Sequence, residues 1–201
     1  TPRLRPTASG TTASGIAATV AAVALAVLVT RTRGLTPVAN ALSAVGLTIP
    51  SFALIGLLIP LVGIGTVPAV VVVVFYAVLP ILRNAVVGLA GVPDTVVESA
   101  RGIGMSRLST LLRVELPMAW PVILTGMRVS GQMVMGVAAI AAWVLGPGLG
   151  GFIFSGLSRL GGANALASVL TGVIAVIVVA FILDLLLALL GRLTTSRGLR
   201  V

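Results

Sequence analysis

The chain contains no cysteine, no histidine and no lysine, and only four of its 201 residues are acidic. Without cysteine there is no disulfide and no thiolate metal site, and the redox compartment leaves no trace. Without histidine the usual general base and the usual zinc ligand are gone, so no metal site is expected. Without lysine a phosphate-binding loop of the Walker type cannot be built, so the chain cannot itself carry a standard ATP site of that kind. An intramembrane protease of the serine type lacks its base here. One of the aspartyl type needs two acids within the membrane, where Asp184 stands alone. No catalytic residue is expected. Aromatic residues are scarce at 4%, and Phe52, Phe75, Tyr76, Phe152 and Phe154 are spread over several elements, most of them as lipid contacts and interface anchors.

What the chain has in abundance is hydrocarbon. A hydrophobic content of 58%, 8% charged residues and a mean hydropathy of +1.23 lie far outside the range of a soluble domain. A helix crossing the bilayer needs about 20 residues, and five runs here are apolar enough. The expected fold is all-α, a polytopic membrane helical bundle of about five transmembrane helices. Residues 1–12 read as a flexible lead-in, 13–190 as one membrane domain and 191–201 as a tail. Thr1 in place of methionine fits a trimmed start, and no cleavage pattern marks the first apolar run for removal.

The first span is expected from Ala13 to Thr30. No charge occurs from Gly34 to Leu82, which is too long for one crossing and fits two, Pro37 to Val62 and Val67 to Leu82, joined by a turn at Gly63 to Pro68. Pro50 interrupts the second span, so a kink is expected there, with a freed carbonyl that some neighbour must satisfy. Arg83 and Asn84 are expected to end the third span. The fourth runs from Pro121 to Leu145, with Gly126, Gly131 and Gly136 as packing glycines. Residues 146–162 read as a glycine-rich connection, and the fifth span runs from Ala165 to Leu190. Asp184, inside that span, calls for a partner, which Arg128 or Arg192 can supply as a structural ion pair near the cytoplasmic end. Arg128 can instead snorkel to the headgroups.

All 13 basic residues are arginine, for a net charge of +9. They are scattered between apolar spans and form no single basic face, so nucleic acid is not an expected partner. Nine of them follow spans one, three and five, whereas Arg3, Arg5 and Arg159 lie on the other side. The positive-inside rule then puts the N-terminus outside and the C-terminus in the cytoplasm.

One long polar island remains, Asp94 to Pro117, DTVVESARGIGMSRLSTLLRVELP. Thr95 to Glu98 has the form of a capping box after Pro93, Gly102 and Gly104 break the helix it opens, and Leu108, Leu111 and Leu112 mark a second short amphipathic helix stopped by Pro117. Charge counting places this knob on the cytoplasmic side. Its spacing is specific: Glu98-Ser99-Ala100, then Gly104, then nine residues, then Val114-Glu115-Leu116-Pro117. This resembles the EAA signature of ABC importer permeases, E-A-A-x3-G-x9-I-x-L-P, with serine for the second alanine and valine for isoleucine as the departures.

The resemblance implies a type I importer permease whose short cytoplasmic coupling helices dock on a separate ATPase subunit. Glu98, Ser99, Ala100, Gly102 and Gly104 then lie at the docking contact, and Leu116 and Pro117 lead into the next span. For Glu98 the plainer reading is a cap on its own helix, and the two roles are compatible. TIPSFALIGLLIPLVGIG at Thr48 to Gly65, LPILRN at Leu79 to Asn84 and GPGLGGFIF at Gly146 to Phe154 resemble osmoprotectant permeases, which move glycine betaine, carnitine, choline or proline betaine. The resemblance covers Ala13 to Leu190. It implies a bacterial cytoplasmic membrane location amid lipid, a second permease chain, like or unlike, and two ATPase subunits that bind ATP and Mg. It also implies a separate extracytoplasmic solute-binding protein, in which selectivity mainly resides. Pro50 and Ser51, at the helix break, are candidates for the translocation path. The alternatives are a permease for amino acids or another small polar solute, and a passive channel or membrane scaffold.

Overall fold

A backbone in hydrocarbon must satisfy its own hydrogen bonds, and this chain does so with helices alone among the described residues. The computed structural model describes residues 22–32, 35–145 and 148–195. The elements are α1 (Ala22–Arg31), α2 (Leu35–Thr48), α3 (Ser51–Val62), α4 (Thr66–Ala90), α5 (Asp94–Gly102), α6 (Arg107–Thr110), α7 (Leu116–Leu145), α8 (Leu149–Leu157) and α9 (Ala165–Thr194). Among the described residues α4, the run from α6 through α7, and α9 are long and apolar enough to cross a membrane, and α2 with α3 makes a fourth span if the pair is one crossing. The first expected span is described only from Ala22. The lead-in 1–12 and the tail from 196 lie outside the described residues.

The bundle is built on α4 and α7. Near one end Ala85, Val86 and Leu89 of α4 pack with Ala119 and Ile123 of α7 and Ala26 of α1. Nearer the other end Val72 and Tyr76 pack with Val137, Ala141 and Ile55 of α3. Between these clusters the buried Ser130 hydroxyl donates to the Ala77 carbonyl at 2.8 Å, tying the two helices inside the membrane. Gly126 permits their close approach, since a Cβ there would stand 2.6 Å from the Asn84 Cβ. Gly131 faces Leu183 of α9, whereas a Cβ on Gly136 would meet nothing within 4 Å, so only two of the three expected packing glycines pack.

The expected break at Pro50 is sharp: α2 and α3 meet at 89°. Proline has no N–H to give the Gly46 carbonyl, which takes the Ile49 N–H at 3.4 Å, and the Ile49 carbonyl at the corner accepts from the Tyr76 hydroxyl. Tyr76 is 3% exposed and stands edge-on to Phe75, so it is a buried clamp on the break, not a lipid anchor. Tyr76→Phe should leave that part-buried carbonyl without this partner and lower stability by about 1 kcal/mol, read as earlier thermal unfolding in detergent. An unchanged transition would deny Tyr76 this role.

Three expected boundaries move. Arg83 and Asn84 do not end the third span, because α4 runs on to Ala90 with Arg83 exposed to one side. A single arginine on an open helix face does not stop a helix whose other face is packed. Nor does Pro117 stop the second short helix: α6 passes through a π-helical turn at Leu111–Glu115 into α7, where the fourth span had been expected to start at Pro121. The Leu116 N–H bonds the Leu111 carbonyl, and this widened turn carries the helix past a ring that lacks an N–H. Finally, residues 149–157 of the glycine-rich connection form α8, held against α9 by glycines: a Cβ on Gly156 would stand 2.7 Å from the Ala165 carbonyl oxygen.

Candidate functional site

The polar island folds into an elbow at one end of the bundle. The short helix α5 starts at Asp94 with Pro93 as its N-cap and no side-chain cap, so the expected capping box of Thr95 and Glu98 does not form. Pro93 already presets the extended backbone that the cap position needs, and Glu98 is left exposed to solvent. The helix ends in a Schellman motif. The Gly104 N–H donates to the Arg101 carbonyl at 2.9 Å, the Met105 N–H donates to the Ala100 carbonyl at 3.1 Å, and Gly104 sits at φ +86°. The spacing from Ala100 to Gly104 in the signature is thus the spacing of a helix C-cap, and glycine is there because the left-handed position disfavours any Cβ. Ser106 then caps α6, its hydroxyl accepting from the Ser109 N–H at 3.3 Å.

Ala100 is buried, whereas Glu98, Ser99, Gly102 and Gly104 are exposed, and Leu116 and Pro117 lie beyond the π turn. Ile103 at the tip of the elbow is 82% exposed, with Leu108 at 65%. Both aliphatic side chains stand in the open at the corner between α5 and α6. Of the four acids, Glu115 and Asp184 form ion pairs; Asp94 and Glu98, both on α5, form none among the described residues.

The Glu115 pair ties the elbow to the rest of the bundle. Arg31, the last residue of α1, donates from Nη2 to both Glu115 carboxylate oxygens at 2.9 and 2.8 Å, and Glu115 lies inside the π turn. On the neighbouring flank the Trp120 indole N–H donates to the Thr194 hydroxyl at 2.8 Å, bringing the end of α9 to the same side. The ends of α1 and α9 and the elbow therefore share one end of the molecule, the grouping that the arginine count requires.

Deeper in the bundle Arg128 meets Asp184 side-on, Nε to Oδ1 at 2.9 Å and Nη2 to Oδ2 at 2.7 Å, and the Gln132 amide reaches Oδ1 at 3.4 Å. Of the two expected partners the structure pairs Asp184 with Arg128. Beside them a groove of about 860 Å3 runs between α4, α7 and α9, with Asn84, Thr125, Arg128 and Arg192 among its walls. Pro50 and Ser51 stand at the α2–α3 corner and do not line it.

Residues 18–196 match a family described as the binding-protein-dependent transport system inner membrane component. The chain belongs to this family. Within the transport-system permeases it is 41% identical over 189 residues to the osmoprotectant import permease protein OsmW of Salmonella typhimurium, covering 91% of this chain and 86% of that one. It is 40% identical over 153 residues to the glycine betaine/carnitine/choline transport system permease protein OpuCB of Bacillus subtilis, covering 76% and 69%. The fold is that of the permease in an inward-facing structure of the MetNI methionine ABC transporter, with a TM-score of 0.79 at 22% identity over 92% of this chain and 91% of that one.

In this permease, sequence reasoning found the elbow but missed the groups that hold it. Arg31 had been counted only as a loop charge and Glu115 passed as the unspecified residue of the signature. The available signal was scarcity: an acid in a chain with four, fixed inside an otherwise apolar Val114-Glu115-Leu116 run, asks for a basic partner. Gln132 was missed for want of its periodicity, one helical turn after Arg128 and so on the same face of α7.

Proposed function

We propose that this permease carries a compatible solute such as glycine betaine, carnitine or choline through the bacterial cytoplasmic membrane as one subunit of an ATP-driven importer. The solute class rests on the relatives named above, whose coverage takes in most of this chain. The elbow of α5 and α6 is the docking site for a separate ATPase subunit, which binds ATP and Mg, while this chain hydrolyses nothing. An extracytoplasmic binding protein delivers the solute, and a second permease chain completes the path, which Pro50 and Ser51 border at the α2–α3 corner. The elbow end faces the cytoplasm, with the C-terminus there and the N-terminus outside, as the arginine count favours. The observation that carries the coupling role is the exposed corner where α5 ends, with Ile103 82% exposed at its tip beside the exposed Gly102 and Gly104.

Glu98→Lys tests it. Glu98 is exposed and forms no ion pair among the described residues, so reversing its charge breaks no contact of the bundle and turns an attraction to a basic ATPase surface into repulsion. Betaine uptake should fall at least about tenfold, the factor that one lost charged contact gives, and the ATPase should no longer co-purify. Full uptake with Glu98→Lys, and a complex that still survives purification, would remove the docking assignment.

A further inference from the structure

A bidentate ion pair facing lipid is costly, and this one is not hidden within the chain. The side chains of Arg128 and Asp184 are 44% and 24% exposed, and among the described residues of α9 only Ala165 and Gly172 are buried. Asp184 lies ten residues before the end of α9 at Thr194 and nineteen after its start at Ala165, about 15 and 28 Å along the axis, and so inside the span. Ionisable groups inside a span face a bundle interior or a water-filled cavity. The adjoining groove is walled by Arg128 and runs from it along Leu187, Gly191 and Thr195 of α9, with Asp184 and Gln132 behind Arg128 and outside its walls, and it is roomy enough for a small solute.

We propose that Arg128, Asp184 and Gln132 form a solute-exchange site in the translocation path, with zwitterions that carry a quaternary ammonium and a carboxylate as its ligands. The inference rests on the osmoprotectant reading above and adds to it a place where the membrane subunit itself handles the solute. The chemistry is an exchange of partners. In the empty site the guanidinium and the carboxylate neutralise each other. A zwitterion entering the groove offers its carboxylate to the two donors of Arg128 and its cationic head to Asp184, so one ion pair becomes two with no net charge brought into the membrane. Gln132 holds the Asp184 carboxylate while Arg128 turns away. Because the pair re-forms behind the departing solute, neither bare charge is left within the span, which keeps binding shallow enough for release.

Glycine betaine and choline separate this role from a structural one, since both carry the trimethylammonium head and only betaine carries the carboxylate. Uptake of the two labelled solutes is measured with the complete transporter in cells lacking other importers. Their ratio within one strain cancels differences in the amount of folded protein. Arg128→Gln should raise the choline-to-betaine ratio roughly tenfold, the scale of one charge-assisted contact, and Asp184→Asn should lower it. Arg128→Lys, which keeps the cation but loses the two-point fork, should shift the ratio in the same direction as Arg128→Gln and less far, and it serves where the glutamine variant does not assemble. Ratios within about twofold of wild type in all three variants would make the pair purely structural and overturn the exchange site. A wild-type complex that imports neither solute would overturn the osmoprotectant reading itself, and this inference with it.

Discussion

Valine at position 104 is expected to abolish most transport while leaving the membrane bundle folded. Gly104 holds φ +86° at the end of α5, and a Cβ built there meets no atom within 4 Å. The penalty is therefore conformational: an L-residue in the left-handed region costs about 1–2 kcal/mol, and a β-branched one more. That strain is relieved only by opening the Schellman turn, which releases the Ala100 and Arg101 carbonyls and unfixes the angle between α5 and α6. The proposed docking face, made of both short helices, then spends most of its time in the wrong shape. A shift of about 1.4 kcal/mol is already tenfold, so Gly104→Val should cut uptake at least about tenfold and weaken co-purification of the ATPase, with thermal unfolding of the bundle in detergent nearly unchanged. Asparagine visits the same backbone region readily, so Gly104→Asn should keep a larger share of the uptake. Equal losses for valine and asparagine would show that bulk at the docking contact, and not backbone geometry, explains the glycine.

The contrast between what the residues announced and what they concealed follows from range. Signals that act within a few residues were readable: the apolar runs, the helix break at Pro50, and the glycine that ends α5. Boundaries failed where packing at long range overrode a local signal. Arg83 reads as a span end only if a charge must leave the membrane at once, yet α4 continues because Ala85, Val86 and Leu89 are buried against α1 and α7. Pro117 reads as a stop unless the preceding turn can widen, and no propensity announces a π turn. The capping box at Thr95 to Glu98 had the right letters, but Pro93 took the cap position. Partnerships across the bundle were the least legible. Asp184 had two arginines to choose from, and only three-dimensional placement selects Arg128. Tyr76 was grouped with the lipid-facing aromatics because nothing in its surroundings reveals that Ile49 bends underneath it.

Removing the Arg31 guanidinium should be among the most damaging single changes in the chain. The pair joins residues 84 apart in sequence, the end of α1 and the π turn through which the elbow continues into α7. Glu115 has a side chain only 10% exposed, so once Arg31 is gone its carboxylate is left nearly buried with no opposite charge. Breaking a buried pair from one side costs about 3–5 kcal/mol; with Arg31 itself 37% exposed, about 2–3 kcal/mol is the reasonable share for Arg31→Ala. Glu115→Gln, which leaves no stranded charge and keeps an acceptor, should cost less. The functional loss should exceed what stability alone dictates, because on the proposed coupling α1 is held to the moving element through this contact. On the proposed coupling, ATP-driven displacement of the elbow reaches the bundle through the π turn, and a turn freed from α1 can flex without moving it. Uptake per ATP hydrolysed should therefore fall in Arg31→Ala even at temperatures where the complex is fully folded. The exchanged pair, Arg31→Glu with Glu115→Arg, should recover part of both stability and coupling. If Arg31→Ala unfolds at the wild-type temperature and transports with the wild-type ratio of solute to ATP, the contact is neither a staple nor a transmission link, and the elbow must act on α7 alone.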